Sequence, residues 1–188
     1  METHTIFFVG KPGSGKGDQA KLLAKATGWK IISSSGELRA FAAEGTPVGQ
    51  KVMADIDAGI LTPPWLVTHL FLKALFGLKQ NESVILDGFC RKVPEAELDI
   101  EALHWIGRSF SVIHLKVSDE EIKHRLFLRK EIEARADDNV VDERLKEYRE
   151  YTDPAIEKFR ESGNLIEIDG ERAREPIAED ILKALNIK

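Results

Sequence analysis

The glycine-rich segment Gly10-Lys-Pro-Gly-Ser-Gly-Lys16 has the residue types and spacing of a phosphate-binding loop. It follows an apolar run typical of a strand and precedes a helical pattern, which is the context that this motif requires. Glycines let the backbone turn tightly and direct several N–H groups at phosphate oxygens, while the helix start and Lys16 supply positive charge. The Ser or Thr that usually follows the lysine is replaced by Gly17, and Asp18 comes next. We therefore predict a phosphate site at Gly10–Lys16.

The elements that position this loop are predicted as strands alternating with helices. Continuous apolar runs typical of strands buried in a parallel sheet occur at Thr5–Val9, Ser83–Leu86 and Ser111–Val117. Weaker strand candidates occur at Lys30–Ile32 and Leu165–Ile168. Helical patterns cover Lys16–Ala26, Gly36–Ala43, Val48–Ala58, Trp65–Leu78, Asp119–Ala134, Asp142–Ser162 and Pro176–Leu185. This alternation predicts an α/β fold with a mostly parallel sheet.

The composition excludes several classes of protein. The 188 residues include 27 Lys and Arg against 32 Asp and Glu, and a net charge of −5 gives no whole-surface attraction for nucleic acid or anionic lipid. The single cysteine, Cys90, excludes an internal disulfide, and no Cys or His group has zinc-ligand spacing. No apolar run approaches the roughly 18 residues of a membrane span, and the N-terminus lacks signal-peptide features. We therefore expect a single domain in a reducing cytoplasm, without a nucleic-acid or membrane partner.

Six segments together carry a resemblance to a known family. They are GKPGSGKGDQA at 10–20, SSSGELRAFAAEGTPVGQ at 33–50, DAGILTP at 57–63, LDGFCR at 86–91, RLFLRKEIEARADDN at 125–139 and RLKEYREYTDP at 144–154. In this order and spacing, the chain resembles the adenylate kinase family of nucleoside monophosphate kinases along nearly its full length. The resemblance implies transfer of the γ-phosphoryl group of ATP, with Mg²⁺, to AMP, giving two ADP. It also implies a monomer.

The resemblance further implies a fold and its subdivisions. We expect a P-loop NTPase fold, with a five-stranded parallel sheet flanked by helices. The single kinase domain, 1–188, would comprise a core at 1–32, 63–127 and 141–188, a helical insert at 33–62 that binds the nucleoside monophosphate, and a lid at 128–140. Only ten residues, Lys130–Asn139, lie between the helical arms and none is a cysteine, so we expect a short lid without structural zinc.

The resemblance also assigns roles around the donor nucleotide and the metal. Residues that would bind ATP are Gly13, Ser14, Gly15, Lys16, Gly17, Asp18, Arg125, Arg129 and Arg172. Asp87, at the end of a buried strand, would orient water on Mg²⁺, a hard ion that retains several waters. Arg125 and Arg129 stand four residues apart and therefore share one helix face.

The acceptor side and the reacting phosphates are assigned in the same way. Residues that would bind AMP are Ser34, Arg39, Ile60, Leu61, Thr62, Gly88, Phe89, Cys90, Arg91, Glu95, Arg135 and Arg144. The catalytic set would be Lys16, Arg91, Arg129, Arg135 and Arg144. Such a concentration of cations suits a reaction that brings together about five to six negative charges and must exclude water.

Three departures from the family pattern concern the donor side and the acceptor loop. Asp18 replaces a Thr beside the donor phosphates, and it either supports Mg²⁺ through water or turns outward. Gly36 stands where relatives often have an Asp, which removes one possible ligand of a metal-bound water. Cys90 replaces the proline of an Asp-Gly-Phe-Pro-Arg motif. Because a cis bond before a non-proline residue costs about 2.5–4 kcal/mol, we predict a trans Phe89–Cys90 bond and an adjusted loop.

A fourth departure, Glu95, stands where adenylate kinases have the glutamine that reads the acceptor adenine. A glutamine amide both accepts from the 6-amino group and donates to ring N1, whereas an ionised glutamate only accepts. An ionised Glu95 would suit guanine or cytosine at least as well. Two alternatives to AMP phosphorylation therefore stay open: a kinase that prefers GMP or CMP, and a catalytically weak nucleotide-binding regulatory protein.

Overall fold

A computed structural model describes residues 3–132 and 140–187 of the chain, without the side chains of 129–132. Five parallel strands form one sheet in the order β2-β3-β1-β4-β5. They are β1 (Thr5–Gly10), β2 (Lys30–Ser33), β3 (Val84–Asp87), β4 (Ser111–Lys116) and β5 (Leu165–Asp169). The predicted parallel α/β fold is confirmed, and all five strands lie where the apolar runs placed them.

Nine α-helices are found in the described part of the chain. They are α1 (Lys16–Thr27), α2 (Ser34–Ala42), α3 (Pro47–Ala58), α4 (Pro64–Phe76), α5 (Val93–Trp105), α6 (Asp119–Ile132), α7 (Val141–Glu147), α8 (Asp153–Glu161) and α9 (Arg174–Ala184). The helix predicted over 142–162 is divided, because a π-helical turn at Tyr148–Thr152 separates α7 from α8. None of the described helices is long and apolar enough to cross a membrane.

The sequence did not predict α5. Its buried face carries Glu95 and Asp99 beside Ala96 and Leu103, so two of the four buried positions are carboxylic acids. An amphipathic helix is recognised by apolar residues that recur every three to four positions on its buried face. Acids at two of these positions interrupt that pattern, so the helix was not predicted. The helix nevertheless has a proline in its first turn. Proline is favourable there, because the backbone N–H that it lacks would not form a hydrogen bond within the helix.

Hydrophobic residues cover both faces of the sheet. On one face Phe7 and Val9 pack with residues of α4, α5 and α8, including Phe71 and Phe159. On the other face Ile6 and Phe8 pack with α1 and α9. Alternate side chains of a strand point to opposite faces, so a strand covered on both sides is apolar throughout. This explains why β1 is buried along its whole length.

The helices α2 and α3 form a small unit beside the sheet. Its core consists of Ala42 and Val52 packed against Leu66 of α4. Ser33 begins α2 by accepting a hydrogen bond from Gly36 N at 3.1 Å, and Thr46 begins α3 in the same way. These helices occupy most of the range expected for the acceptor insert, 33–62.

Candidate active site

The loop between β1 and α1 surrounds the ammonium group of Lys16. Lys16 Nζ donates to the carbonyl oxygens of Gly10 and Lys11, both at 2.7 Å. Burial lowers the pKa of Lys16 to about 7, Asp87 opposes this change, and the charges of Arg91 and Arg144 lower the pKa further. The loop thus holds a lysine close to a carboxylate and two arginines from other segments.

The end of β3 lies beside this loop because neighbouring parallel strands end at one edge of the sheet. Phe8 of β1 pairs with Asp87 of β3 in the register. A Cβ added to Gly17 would lie 3.4 Å from Asp87 Oδ2, so the carboxylate is close to the first turn of α1. The sheet topology therefore joins residues that are 70 positions apart in the chain.

Gly88, Ser34 and Arg91 form a second group at the same edge. Arg91 Nε donates to the carbonyl oxygen of Gly88 at 2.7 Å, and Ser34 Oγ donates to that oxygen at 2.6 Å. Gly88 has a φ of 75°, and a Cβ there would collide with the Arg91 guanidinium. A glycine is required for this close approach.

The Phe89–Cys90 bond is trans, as predicted from the absence of proline. Cys90 adopts a left-handed φ of 58°, and its buried thiol donates to Asp99 Oδ2 at 2.9 Å. Glu95 is also buried, and its Oε2 accepts from Arg91 N at 2.8 Å. In the structure this predicted base-reading carboxylate therefore bonds to the backbone of its own loop.

Burial also changes the ionisation of these acids. It raises the pKa of Glu95 to about 7, against the opposing effect of Arg91 and Lys92. It raises the pKa of Asp99 to about 8, against the opposing hydrogen bond from Cys90, while the charge of Glu95 adds to the increase. A buried carboxyl favours its neutral form because the charged form loses its hydration.

The loop after α3 is held by two residues of distant segments. Leu61 N donates to Glu147 Oε2 at 2.9 Å, and Lys92 Nζ donates to the carbonyl oxygen of Leu61 at 3.0 Å. Thr62 is buried, whereas Ile60 is exposed. The predicted acceptor-base loop is thereby connected both to α7 and to the residue that follows Arg91.

The predicted arginines are distributed unevenly around this edge. Arg125 Nε donates to Glu121 Oε1 at 2.6 Å, and its Nη1 donates to the carbonyl oxygen of Ser14 at 3.5 Å. Arg144 lies beside Gly59, and Arg39 is exposed on α2. The Arg129 side chain and the whole of Arg135 lie outside the described residues.

Asp18 pairs with an arginine that the sequence did not single out. Arg174 Nη2 donates to Asp18 Oδ2 at 3.0 Å, and both side chains are exposed. This geometry corresponds to the outward orientation of Asp18, one of its two predicted alternatives. Arg172 instead pairs with Asp180 at 2.5 Å and with Asp169 at 3.4 Å.

The family model for adenylate kinase matches residues 8–164. Curated relatives match over nearly the whole chain. The adenylate kinase of Thermus thermophilus is 37% identical over 185 residues, covering 97% of each chain. Adenylate kinase 1 of Synechocystis is 40% identical over 181 residues, covering 95% of each, and the Maricaulis maris adenylate kinase is 38% identical over 186 residues, covering 97% of this chain and 99% of its own. The chain belongs to the adenylate kinase family. It is therefore a phosphotransferase of the nucleoside monophosphate kinase class.

In this member of the adenylate kinase family, the residues that could support a metal are few. Within 3–132 and 140–187, no group of three or more His, Cys, Asp and Glu side chains could hold a metal ion. Asp87 is a single carboxylate at the edge that carries Lys16. It fits an Mg²⁺ ion that arrives with its nucleotide and retains its waters, since such an ion needs only one or two protein carboxylates.

Three contacts of this adenylate kinase family member were missed by the sequence analysis. Glu147 lies in a segment whose charges are typical of an exposed helix, and its partner Leu61 is 86 positions away. Lys92 could have been suspected because it adjoins Arg91. Lys11 Nζ pairs with Asp119 Oδ1 at 2.5 Å and thereby ties the phosphate loop to the start of α6.

Proposed function

We propose that this chain transfers the γ-phosphoryl group of ATP to AMP through Lys16, Asp87, Arg91 and Arg144. The carrying observation is that these groups lie together: a Cβ on Gly17, next to Lys16, would lie 3.4 Å from Asp87 Oδ2, and the charges of Asp87, Arg91 and Arg144 all act on Lys16. They come from α1, β3, the loop after β3 and α7, and they meet at the carboxyl edge of the sheet. In open α/β sheets, ligands bind at this edge.

On the donor side, the loop of residues 13–18 binds the triphosphate. Ser14 is buried in this loop, and the backbone N–H groups of Gly13, Gly15 and Gly17 would bind phosphate oxygens. Lys16 moves its ammonium from the carbonyls of Gly10 and Lys11 toward the β- and γ-phosphates. Arg125 borders this loop through its contact with Ser14, while Asp18, Arg129 and Arg172 complete the proposed donor set.

On the acceptor side, Ser34, Arg39 and Arg91 bind the phosphate of AMP. Arg91 is fixed for this task by its bond to Gly88 O and by Glu95, which accepts from its backbone N–H. Ile60, Leu61 and Thr62 border the base. The remaining proposed acceptor residues are Gly88, Phe89, Cys90, Glu95, Arg135 and Arg144.

The catalytic step is an in-line transfer between two bound nucleotides. Lys16, Arg91, Arg129, Arg135 and Arg144 surround the transferred group and stabilise its negative charge in the transition state. Mg²⁺ would neutralise charge on the ATP phosphates, and Asp87 would hold its waters. Closure of the insert at 33–62 and the lid at 128–140 over the core would exclude water. We propose that the enzyme works as a cytoplasmic monomer.

Glu95 is the reason to test the alternative from the sequence, a kinase that prefers GMP or CMP. An ionised carboxylate accepts from both N1–H and the 2-amino group of guanine, whereas it leaves adenine N1 without a donor. The relatives favour AMP, since all three named above are called adenylate kinases. Release of ADP measured with AMP, GMP and CMP distinguishes the three acceptors, and AMP should give the highest kcat/KM.

Replacement of Lys16 tests the mechanism. Lys16→Met should lower kcat about a hundred- to thousandfold, as expected when one preorganised charge contact is removed from a transition state. Lys21→Met is a matched control, because Lys21 is an exposed lysine on the same helix. If Lys16→Met retained more than about a tenth of the turnover of the control, Lys16 would not carry the transition-state charge.

A further inference from the structure

Cys90, one of the proposed acceptor residues, forms a buried polar pair with Asp99, to which the mechanism above gives no role. The Cys90 thiol donates to Asp99 Oδ2 at 2.9 Å, and both residues have no exposed surface. The other carboxyl oxygen, Asp99 Oδ1, is buried without a hydrogen-bond partner among the described residues. Buried polar atoms without partners are destabilising, so this acid is retained against a free-energy cost.

Cys90 occupies a backbone conformation that needs support. Its φ of 58° lies in the left-handed region, where a residue with a Cβ is unfavourable. Proline cannot adopt this conformation, because its ring holds φ near −65°. The loop of this chain therefore differs in backbone from a loop built with proline at the same position.

The backbone conformation of Cys90 determines the position and direction of the backbone at Arg91. Arg91 N is held by Glu95 Oε2, and Arg91 Nε is held by Gly88 O. Cys90 lies between these two anchors, and Asp99 lies one helical turn after Glu95 on α5. The start of α5 thus contacts the loop on both sides of the Cys90–Arg91 peptide bond.

We propose that Asp99 is a positioning residue for the acceptor phosphate site. Through its hydrogen bond with the Cys90 thiol, it holds the left-handed turn from which Arg91 reaches the acceptor phosphate. It replaces, with a polar contact, the rigidity that a proline ring would supply. The inference rests on the proposed role of Arg91 in binding AMP.

Four variants test this role by steady-state kinetics with AMP and ATP varied separately. Asp99→Leu removes the acceptor, whereas Asp99→Asn retains an acceptor oxygen. Cys90→Ala removes the donor and gives a result even if Asp99→Leu fails to fold. Thr68→Val is the matched control, because Thr68 is another buried polar residue whose hydroxyl has no partner in the described part of the chain.

Asp99→Leu and Cys90→Ala should each raise the KM for AMP about two- to tenfold, the effect of one lost hydrogen bond, and leave the KM for ATP within about twofold. Asp99→Asn should restore most of the affinity, and Thr68→Val should change neither KM. An unchanged KM for AMP in Cys90→Ala, or an equal rise in both KM values, would overturn the inference. Arg91→Ala separates the two proposals: if it leaves the KM for AMP unchanged, the proposed acceptor site itself is wrong.

Thiol labelling supplies a readout independent of activity. Cys90 is the only cysteine in the chain, so reaction with a thiol reagent reports opening of this loop. AMP should slow the labelling of the unmodified enzyme, and Asp99→Leu should label faster than Thr68→Val. Equal labelling rates in these two variants would show that Asp99 does not hold the turn.

Discussion

At the scale of single residues, the acceptor loop depends on acids whose ionisation is changed by burial. Burial raises the pKa of Glu95 to about 7, so this carboxyl exchanges its proton close to neutral pH. A protonated carboxyl both donates and accepts, as a glutamine amide does. The distinction drawn from the sequence between glutamate and glutamine therefore depends on pH.

Glu95 should make acceptor preference depend on pH. Below pH 7 the neutral carboxyl can donate to adenine N1, and above pH 7 the carboxylate suits guanine better. We expect the AMP/GMP ratio of kcat/KM to fall about tenfold between pH 6 and pH 8, in line with the loss of one buried donor–acceptor pair. Coupled assays with both acceptors across this range measure the ratio.

Glu95→Gln is the control for this prediction, because an amide does not titrate. Its AMP/GMP ratio should be independent of pH and should exceed that of the unmodified enzyme at pH 8 by about tenfold. If both proteins give the same ratio within about twofold at every pH, Glu95 does not read the base, and its role is limited to holding Arg91 N.

At the scale of elements, the loop after α3 is connected to the helix that follows the lid region. Glu147 of α7 accepts from Leu61 N, and Arg144 lies one turn earlier on the same helix. A Cβ on Gly59 would lie 2.7 Å from Val140 Cγ2 and 3.0 Å from Arg144 Cγ, so the two segments are in direct contact. Movement of α7 would therefore move the proposed base-binding loop.

Glu147→Leu should weaken AMP binding because it removes the partner of a backbone N–H. Loss of this contact, in which the acceptor is a buried carboxylate, should raise the Kd for AMP about tenfold, and calorimetric titration measures it. Glu147→Gln keeps an acceptor oxygen and should restore most of the affinity. Glu143→Leu, one turn earlier and bonded only to Lys146 among the described residues, is the control. Equal affinities in Glu147→Leu and Glu143→Leu would contradict this coupling.

At the scale of the whole molecule, the arginines proposed to bind the nucleotides or to act in catalysis lie on separate segments. Arg39 is on α2, Arg91 follows β3, Arg125 is on α6 and Arg144 is on α7. Arg39 is exposed in the structure. From this arrangement we expect the proposed acceptor insert, 33–62, and the proposed lid, 128–140, to close over the core, although most of the lid lies outside the described residues.

Binding of a bisubstrate analogue should therefore make the molecule more compact. Solution scattering with and without saturating analogue should show a smaller radius of gyration in the complex, because both flaps close. The matched control is Lys16→Met with the same analogue, with occupancy of both proteins verified by titration. An unchanged radius of gyration at full occupancy would contradict a two-flap kinase.

Local patterns in the sequence were sufficient for the framework of the site. The apolar runs of β1, β3 and β4 predicted a parallel sheet, and the glycines before Lys16 predicted the phosphate loop at its edge. These features depend on near neighbours: a strand buried on both faces is apolar throughout, and a tight turn needs glycine. The trans bond before Cys90 was also predictable, since only proline makes the cis form accessible.

Only the tertiary structure decided which distant residues meet. The helix α5 was not predicted, because the acids Glu95 and Asp99 occupy its buried face. The structure explains the burial of Asp99, since this carboxyl accepts a hydrogen bond from the Cys90 thiol. The sequence around Glu147 indicates an exposed charged helix, whereas in the structure Glu147 accepts a hydrogen bond from Leu61 N. The spacing of residues along the chain determines which side chains share one face of a helix or strand. The partner of a buried charge depends instead on how whole elements pack against one another.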